Sequence, residues 1–381
     1  MNNINTIDYS EINNLPDLLN VLREKNIPNN QFWNYVSVYQ DRKARGKGIP
    51  LNGQFELTPL CNLDCKMCYV HLNGNQFNSA ELLSGEWWKD IANRAHSLGM
   101  LNAVLTGGEC LTYPEFDEVY MFLRSLGVRV SIKTNGVLLN KERIAFFKKN
   151  SPRSITISLY GSTNEAYEKA TGHAAFDIVY NNLLQLKNVD FPVNVAITPS
   201  EYVLEDIENV IKLVKELDIP FTVNSLLIQP RRETGRIIKD LSPREYARIF
   251  KLVKEEESSE FGSTIENDLT ECVINEKPRL GINCGAGRSS FCIKWNGNIS
   301  GCSNLNSLEI SLLDKDFLTA WELINLDALA YPLPVECNKC AYSKACLNCV
   351  AYRSKPSDKG HCNPEICERT RIFVSEGIIQ L

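Results

Sequence analysis

Gln54-Phe55-Glu56-Leu57-Thr58-Pro59-Leu60-Cys61-Asn62-Leu63-Asp64-Cys65-Lys66-Met67-Cys68-Tyr69 is the stretch that decides how the rest of the chain is read. A strand-like run, 54–58, ends at Pro59. Three cysteines follow, spaced C-x3-C-x2-C. Three thiolates on so short a loop can grip three irons of a cubane cluster, since such clusters are held by cysteine thiolates. The fourth iron then has no ligand from this loop, and a small molecule can bind there. The alternative is a structural zinc site. Zinc sites usually take four protein ligands in C-x2–4-C pairs. Only His71 lies near enough to complete one, and it follows the third cysteine closely.

Outward from this loop the chain alternates strand and helix. Strands are expected at 54–58, 101–106, 128–133, 154–159, 193–198 and 221–227. Ser84 can cap a helix whose apolar face is Trp88, Ile91, Ala92, Ala95 and Leu98, with Gly99 as terminator. Pro114 opens the next helix, which carries Phe116, Val119, Tyr120 and Leu123 and stops at Gly127. A further helix is expected over 203–217. Strict alternation implies a parallel sheet with right-handed crossovers, and ligands at the carboxyl ends of its strands. Pattern alone allows an open doubly wound sheet or a partial barrel.

Thr106-Gly107-Gly108-Glu109 stands at one such end. Paired glycines let a backbone approach a ligand closely, and the carboxylate can accept from an ammonium group. Thr134-Asn135-Gly136 and the strand residue Ser158 add polar groups at two more ends. Ser158 is also read as a residue that merely alternates with Ile157 and Leu159. Cys110 reads as a small buried residue.

The flanks carry less. Residues 1–50 read as a helical preface around Pro16, with Arg42-Lys43-Ala44-Arg45-Gly46-Lys47-Gly48 as a solvated basic loop. Residues 231–279 read as a helical bridge: a basic turn reaching Arg236, then a helix over 243–257 capped by Ser242.

Composition narrows the class. The 381 residues are too many for one ordinary core. The net charge of −5 gives no argument for nucleic acid as a partner. No apolar run reaches the ~18 residues of a membrane span, and Met1-Asn2-Asn3-Ile4-Asn5 does not open a secretory signal. A cytoplasmic protein without a membrane partner is expected. In such a chain the 14 cysteines read as metal ligands rather than disulfides. Three sit in the opening loop, Cys110 is alone, and the other ten lie between Cys272 and Cys367.

Within that tail, residues 291–302 read as a hairpin with Asn296-Gly297 as a two-residue turn. That turn pairs Cys302 with Phe291, so Cys292 points to the opposite face unless a bulge intervenes. Then come Cys337-x2-Cys340-x5-Cys346-x2-Cys349, Cys362 and Cys367. Alone, this tail suits a pair of zinc ribbons equally well.

The C-x3-C-x2-C loop followed by aromatic Tyr69, with Gly107-Gly108-Glu109 39 residues on, resembles the radical S-adenosylmethionine (SAM) enzymes. The tail resembles the SPASM extension of that superfamily, except that its last pair is C-x2-C. The resemblance covers about residues 51–375. It implies an α/β fold, a partial (β/α)6 TIM-like barrel over 51–230 with a cysteine-rich auxiliary-cluster domain over 280–375. It implies three [4Fe-4S] clusters and SAM. Cys61, Cys65 and Cys68 would hold the first cluster. Tyr69, Gly107, Gly108, Glu109, Asn135 and Ser158 would contact SAM. Cys284, Cys302 and Cys349, with Cys292 as a candidate fourth, would hold an auxiliary cluster. Cys337, Cys340, Cys346 and Cys367, or Cys362 in place of Cys367, would hold another. The arginine that relatives often place on the SAM carboxylate is absent, since that region reads Lys169-Ala170-Thr171-Gly172-His173.

The implied activity is reductive SAM cleavage to a 5′-deoxyadenosyl radical that modifies a ribosomally made peptide or a protein side chain. A ferredoxin or flavodoxin would supply electrons. Alternatives are a sulfatase-maturing or sugar-like small-molecule enzyme, or an iron–sulfur redox sensor without turnover. Sulfatase-maturing relatives carry an aspartate where this chain has Ser303.

Overall fold

The computed structural model of the chain describes residues 7–9, 12–28, 31–70, 72, 81–225, 227, 238–255, 281–282, 284–305, 307–334, 336–337, 340–343, 345–346, 349–355 and 358–380. Two helices come first. α1 (Leu15–Glu24) is capped by Asn14, whose side chain accepts from Asp17 N at 2.9 Å, and has Pro16 in its first turn. It buries Leu18 and Leu22 against Tyr35 and Val36 of α2 (Phe32–Lys47), and Ile7, Tyr9 and Ile12 complete this small core. The basic stretch expected as a loop is the end of α2. Asp41 pairs with Arg45 one turn on at 2.6 Å, and cationic side chains suit a helix carboxyl end. Only Gly48 leaves the helix, at a left-handed φ of 64°.

The strands and helices that follow build one sheet. In chain order they are β1 (Asn52–Glu56), α3 (Gly85–Ser97), β2 (Asn102–Thr106), α4 (Phe116–Ser125), β3 (Arg129–Thr134), α5 (Lys141–Lys149), β4 (Ser154–Leu159), α6 (Asn164–Thr171), α7 (Phe176–Leu186), β5 (Val193–Ile197), α8 (Ile207–Glu216) and β6 (Phe221–Val223). All six strands are parallel neighbours in sequence order, the topology of a partial (β/α)6 barrel. Phe55, Leu105, Ile132, Ile155 and Val195 are buried in successive strands, and each such side chain contributes roughly 1.5–3 kcal/mol. Phe55 meets Trp88 of α3 edge-on, ring centroids 5.9 Å apart. Ser84 caps α3 by accepting from Trp87 N at 3.2 Å.

Several boundaries differ from expectation. The first strand lies two residues earlier, because Leu57 N still bonds Thr106 O while Thr58 already turns to meet Gly108. The last barrel strand ends at Val223, where Asn224 bonds sideways to Thr198. The helix after Pro114 begins at Phe116, and that after β5 at Ile207. The bridge helix, α9 (Pro243–Glu255), opens on a reciprocal cap: Ser242 Oγ accepts from Glu245 N, and Ser242 N donates to Glu245 Oε2 at 2.6 Å. Arg231, Arg232, Arg236 and Cys272 lie outside the described residues.

The cysteine-rich tail continues the same sheet. β7 (Ser290–Ile293) pairs parallel with β1, then β8 (Asn298–Ser300) and β9 (Glu309–Ser311) follow antiparallel. The β7–β8 loop has three residues, 295–297, rather than the expected two. Lys294 N bonds Asn298 O, and Gly297 takes φ 83°. The extra residue shifts the register by one. Cys292 therefore faces Ser300, on the same side as Cys302 and not the opposite one. α10 (Phe317–Ala330) covers this hairpin, with Phe291 edge-on to both Phe317 and Trp321. The chain ends with α11 (Val350–Arg353), a small ribbon of β10 (Ser354–Lys355) and β11 (Asp358–Cys362), and α12 (Pro364–Ser375). Among the described residues no helix is long and apolar enough to cross a membrane.

Candidate active site

The three-cysteine loop leaves the carboxyl end of β1 and is pinned on two sides. Gly108 N donates to Thr58 O at 2.7 Å and Glu109 N to Leu60 O at 2.8 Å. On the far side, Asp64 N and Lys66 N donate to Thr171 O and Ala170 O at the end of α6, at 2.8 and 2.9 Å. Leu63 and Met67 are buried between the cysteines and hold the loop down.

The paired glycines serve this pinning. A Cβ on Gly107 would lie 2.5 Å from Thr58 O, and one on Gly108 only 2.3 Å from Leu60 O. Neither has a positive φ among the glycines that do. What needs their bareness is the approach of the chain's own backbone.

Glu109 is buried, and its carboxylate is already engaged. Oε1 accepts from Thr134 Oγ1 at 2.9 Å and Leu111 N at 3.0 Å, and Oε2 from Asn135 N at 2.7 Å. Burial raises its pKa, against these donors. Asn135 in turn reaches the cysteine loop, donating from Nδ2 to Asn62 Oδ1 at 2.7 Å and to Cys61 Sγ at 3.7 Å. Ser158 lies on the partly exposed face of β4 near Tyr160, which in turn lies beside Cys65.

The thiols sit in a water-poor site. Burial pushes Cys61 up to about 11, opposed by the Leu63 N–H and added to by Glu109 and Cys68. Burial, then Cys68 and Cys61, push Cys65 higher still. Such thiols become ligands by exchanging a proton for a metal.

Tyr69 joins this site to the tail. Its hydroxyl lies beside Ser303, and burial, Glu56 and Cys292 all raise its pKa. In the tail, burial and then neighbouring Cys302 raise the Cys284 thiol, and burial, Cys302 and Cys284 push Cys349 up to about 12. Cys292 is fully buried beside Glu56 and Cys302. Farther out, Cys337 Sγ stands 3.1 Å from Cys362 Sγ, and Cys367 is near Cys362. Cys340 and Cys346 lie on the turn that follows Cys337.

Other candidates are accounted for locally. Cys110 is buried and donates to Lys133 O at 3.3 Å. Lys169 pairs with Glu205 at 2.6 Å, and His71 lies outside the described residues. Sequence reasoning missed Tyr160 and Glu56. Tyr160 directly follows a strand, as Asn135 does, and that position was its only signal. Glu56 shows no signal, because it was read as a mid-strand residue.

Every described cysteine is a free thiol. Among the described residues no three His, Cys, Asp or Glu side chains are drawn in tightly enough for a single ion. The donor set fits an iron–sulfur group: three thiols on one pinned loop, with a polar floor of Asn135 and Tyr160.

This is an α/β barrel enzyme whose three-cysteine loop follows the first strand. Residues 55–214 match the Radical SAM superfamily, so this stretch is a radical SAM domain, and the cysteine-rich tail follows it in the chain. An iron–sulfur cluster and SAM are therefore its cofactors. The AdoMet-dependent heme synthase of Methanosarcina barkeri is 26% identical over 321 residues, covering 78% of this chain and 90% of that one. The antilisterial bacteriocin subtilosin biosynthesis protein AlbA of Bacillus subtilis is 26% identical over 383 residues, covering 96% and 81%. Streptococcus suis SuiB bound to SAM has the same fold, with a TM-score of 0.67 at 17% identity over 92% of this chain and 86% of that one.

Proposed function

We propose that this enzyme modifies a ribosomally made peptide or a protein side chain, by a thioether, crosslink or oxidation. In this reading residues 51–230 are the radical SAM core and 231–279 a bridge. Residues 280–375 are the SPASM domain, and 1–50 the preface. Cys61, Cys65 and Cys68 hold the SAM-binding cluster. Cys284, Cys302 and Cys349, with Cys292 as fourth, hold a first auxiliary cluster. Cys337, Cys340 and Cys346 hold a second, with Cys362 or Cys367. When bound, the first cluster and SAM supply a 5′-deoxyadenosyl radical. A ferredoxin or flavodoxin is the electron donor.

The observation that carries this reading is the pairing of β1 with β7. It brings Cys292 and Ser303 beside Tyr69, so that a second set of thiols flanks the three-cysteine loop. The residues of the chain bind, orient and exclude water. Glu109 holds Thr134 and Asn135 in place beneath the loop. Tyr69 and Ser303 close the wall toward the tail. Gly107 and Gly108 keep the first two strand ends in contact. The relatives support a peptide substrate: AlbA serves bacteriocin biosynthesis, and SuiB is also solved bound to precursor peptide SuiA. Ser303, in place of an aspartate, disfavours the sulfatase-maturing alternative.

The test is anaerobic incubation of the reconstituted chain with SAM, reductant and a candidate precursor peptide drawn from the short reading frames beside its gene. Loss of hydrogens from that peptide, with stoichiometric 5′-deoxyadenosine, is the expected result. A second reading, a tetrapyrrole substrate, is favoured by the likeness to the heme synthase. An unchanged peptide, with a tetrapyrrole converted when it is supplied to the same assay, would replace the first reading by the second.

A further inference from the structure

The side chains beneath the cysteine loop show an ordering that the SAM-binding reading does not use. Asn135, expected as a SAM contact, has its amide fixed on three sides. Oδ1 accepts from Val137 N at 3.0 Å, and its own backbone N is tied to Glu109 at 2.7 Å. The oxygen is thereby spent on its own turn. Nδ2 must face the loop, where it donates to Asn62 Oδ1 and Cys61 Sγ. Cys61 Sγ receives a second N–H from Leu63 at 3.4 Å.

One strand along, Tyr160 repeats the arrangement. Its ring packs edge-on to buried Tyr167, centroids 6.0 Å apart. Its hydroxyl lies beside Ser158 and the sulfur of Cys65. Two consecutive strand ends, after β3 and after β4, thus each place one side chain with a donor group beside one cysteine of the loop.

Hydrogen bonds to the sulfurs of an iron–sulfur cluster stabilise its more negative, reduced form and raise its reduction potential. We propose that Asn135 and Tyr160 are positioning residues that donate to Cys61 and Cys65 and set the reduction potential of the cluster held there. This rests on the assignment of Cys61, Cys65 and Cys68 as cluster ligands. Each donor is built into the frame by bonds that need no ligand, so it acts whether or not SAM is present.

The experiment is an EPR-monitored redox titration of the anaerobically reconstituted full chain, following only the signal that changes on adding SAM. Tyr160→Phe removes one oxygen and keeps the ring packing. Asn135→Asp keeps the shape and the acceptor for Val137 N but replaces the donor by an anionic oxygen. Both variants are expected to retain iron and the SAM-responsive signal, and to titrate at a more negative potential, Asn135→Asp by more. If Asn135→Asp loads no iron, Tyr160→Phe decides alone. A Tyr160→Phe potential equal to that of the unsubstituted chain would overturn the proposal. An unsubstituted chain with no SAM-responsive signal would instead overturn the ligand assignment beneath it.

Discussion

Cys61, Cys65 and Cys68 lie on one loop, whereas Cys284, Cys302 and Cys349 come from three separate segments. The loop trio is held by short-range contacts: its backbone on the Gly108–Glu109 turn after β2 and on α6, and the Cys61 sulfur on Asn135 after β3. The tail trio is assembled by topology. It needs β7 to pair with β1, and it needs α2 to brace the joint. There Ser289 Oγ donates to Asp41 at 2.7 Å, Arg288 donates to Arg45 O at 3.1 Å, and Trp321 Nε1 donates to Gly48 O at 2.7 Å. A site written into one loop should therefore survive damage elsewhere, while one gathered by the fold should not.

The largest effect should come from the loop itself. Cys65→Ala should take 5′-deoxyadenosine formation below detection while iron at the tail cysteines remains, as read by product chromatography and iron analysis. Loss of iron from both regions would mean the two are one cooperative unit.

Next is Arg369 of α12. It is buried over the Tyr246 ring at 3.9 Å, and donates to Asp240 at 2.9 Å and Ser225 O at 2.5 Å. Arg369→Met leaves Asp240 without its cation and should cost about 3 kcal/mol, measured by urea unfolding. Iron should fall at the outer tail cysteines first.

Gly108→Ala drives a Cβ into Leu60 O. It should cost about 1–3 kcal/mol, the range for overpacking, and weaken SAM-responsive iron while sparing the tail. The smallest effect belongs to Asp41→Ala, which frees Ser289, Asn52 and Arg45 together. A loss of about 1–2 kcal/mol is expected for such hydrogen bonds, with the opposite selectivity: tail iron falls and SAM-responsive iron holds.

The same contrast explains what could be read from residues alone. The barrel was legible because each strand and helix announces itself locally, through apolar spacing and caps such as Ser84 and Ser242. The loop stood out because its three cysteines are neighbours in sequence. The face of Cys292 was not legible, because one extra residue in the 295–297 loop reverses it, and nothing local distinguishes a two-residue from a three-residue turn around Asn296-Gly297. The helical end of α2 was missed because its basic residues look solvated until Asp41 and the tail are packed against them. Tyr160 and Glu56 matter through partners far away in sequence, so their own neighbours carry no sign of it.

The most direct measurement is EPR of the anaerobically reconstituted, reduced chain before and after SAM is added. One cluster signal should shift on addition, with 5′-deoxyadenosine accumulating alongside it, and Cys61→Ala should remove that signal alone. Zinc as the only bound metal, or a spectrum indifferent to SAM, would contradict the assignment of the loop.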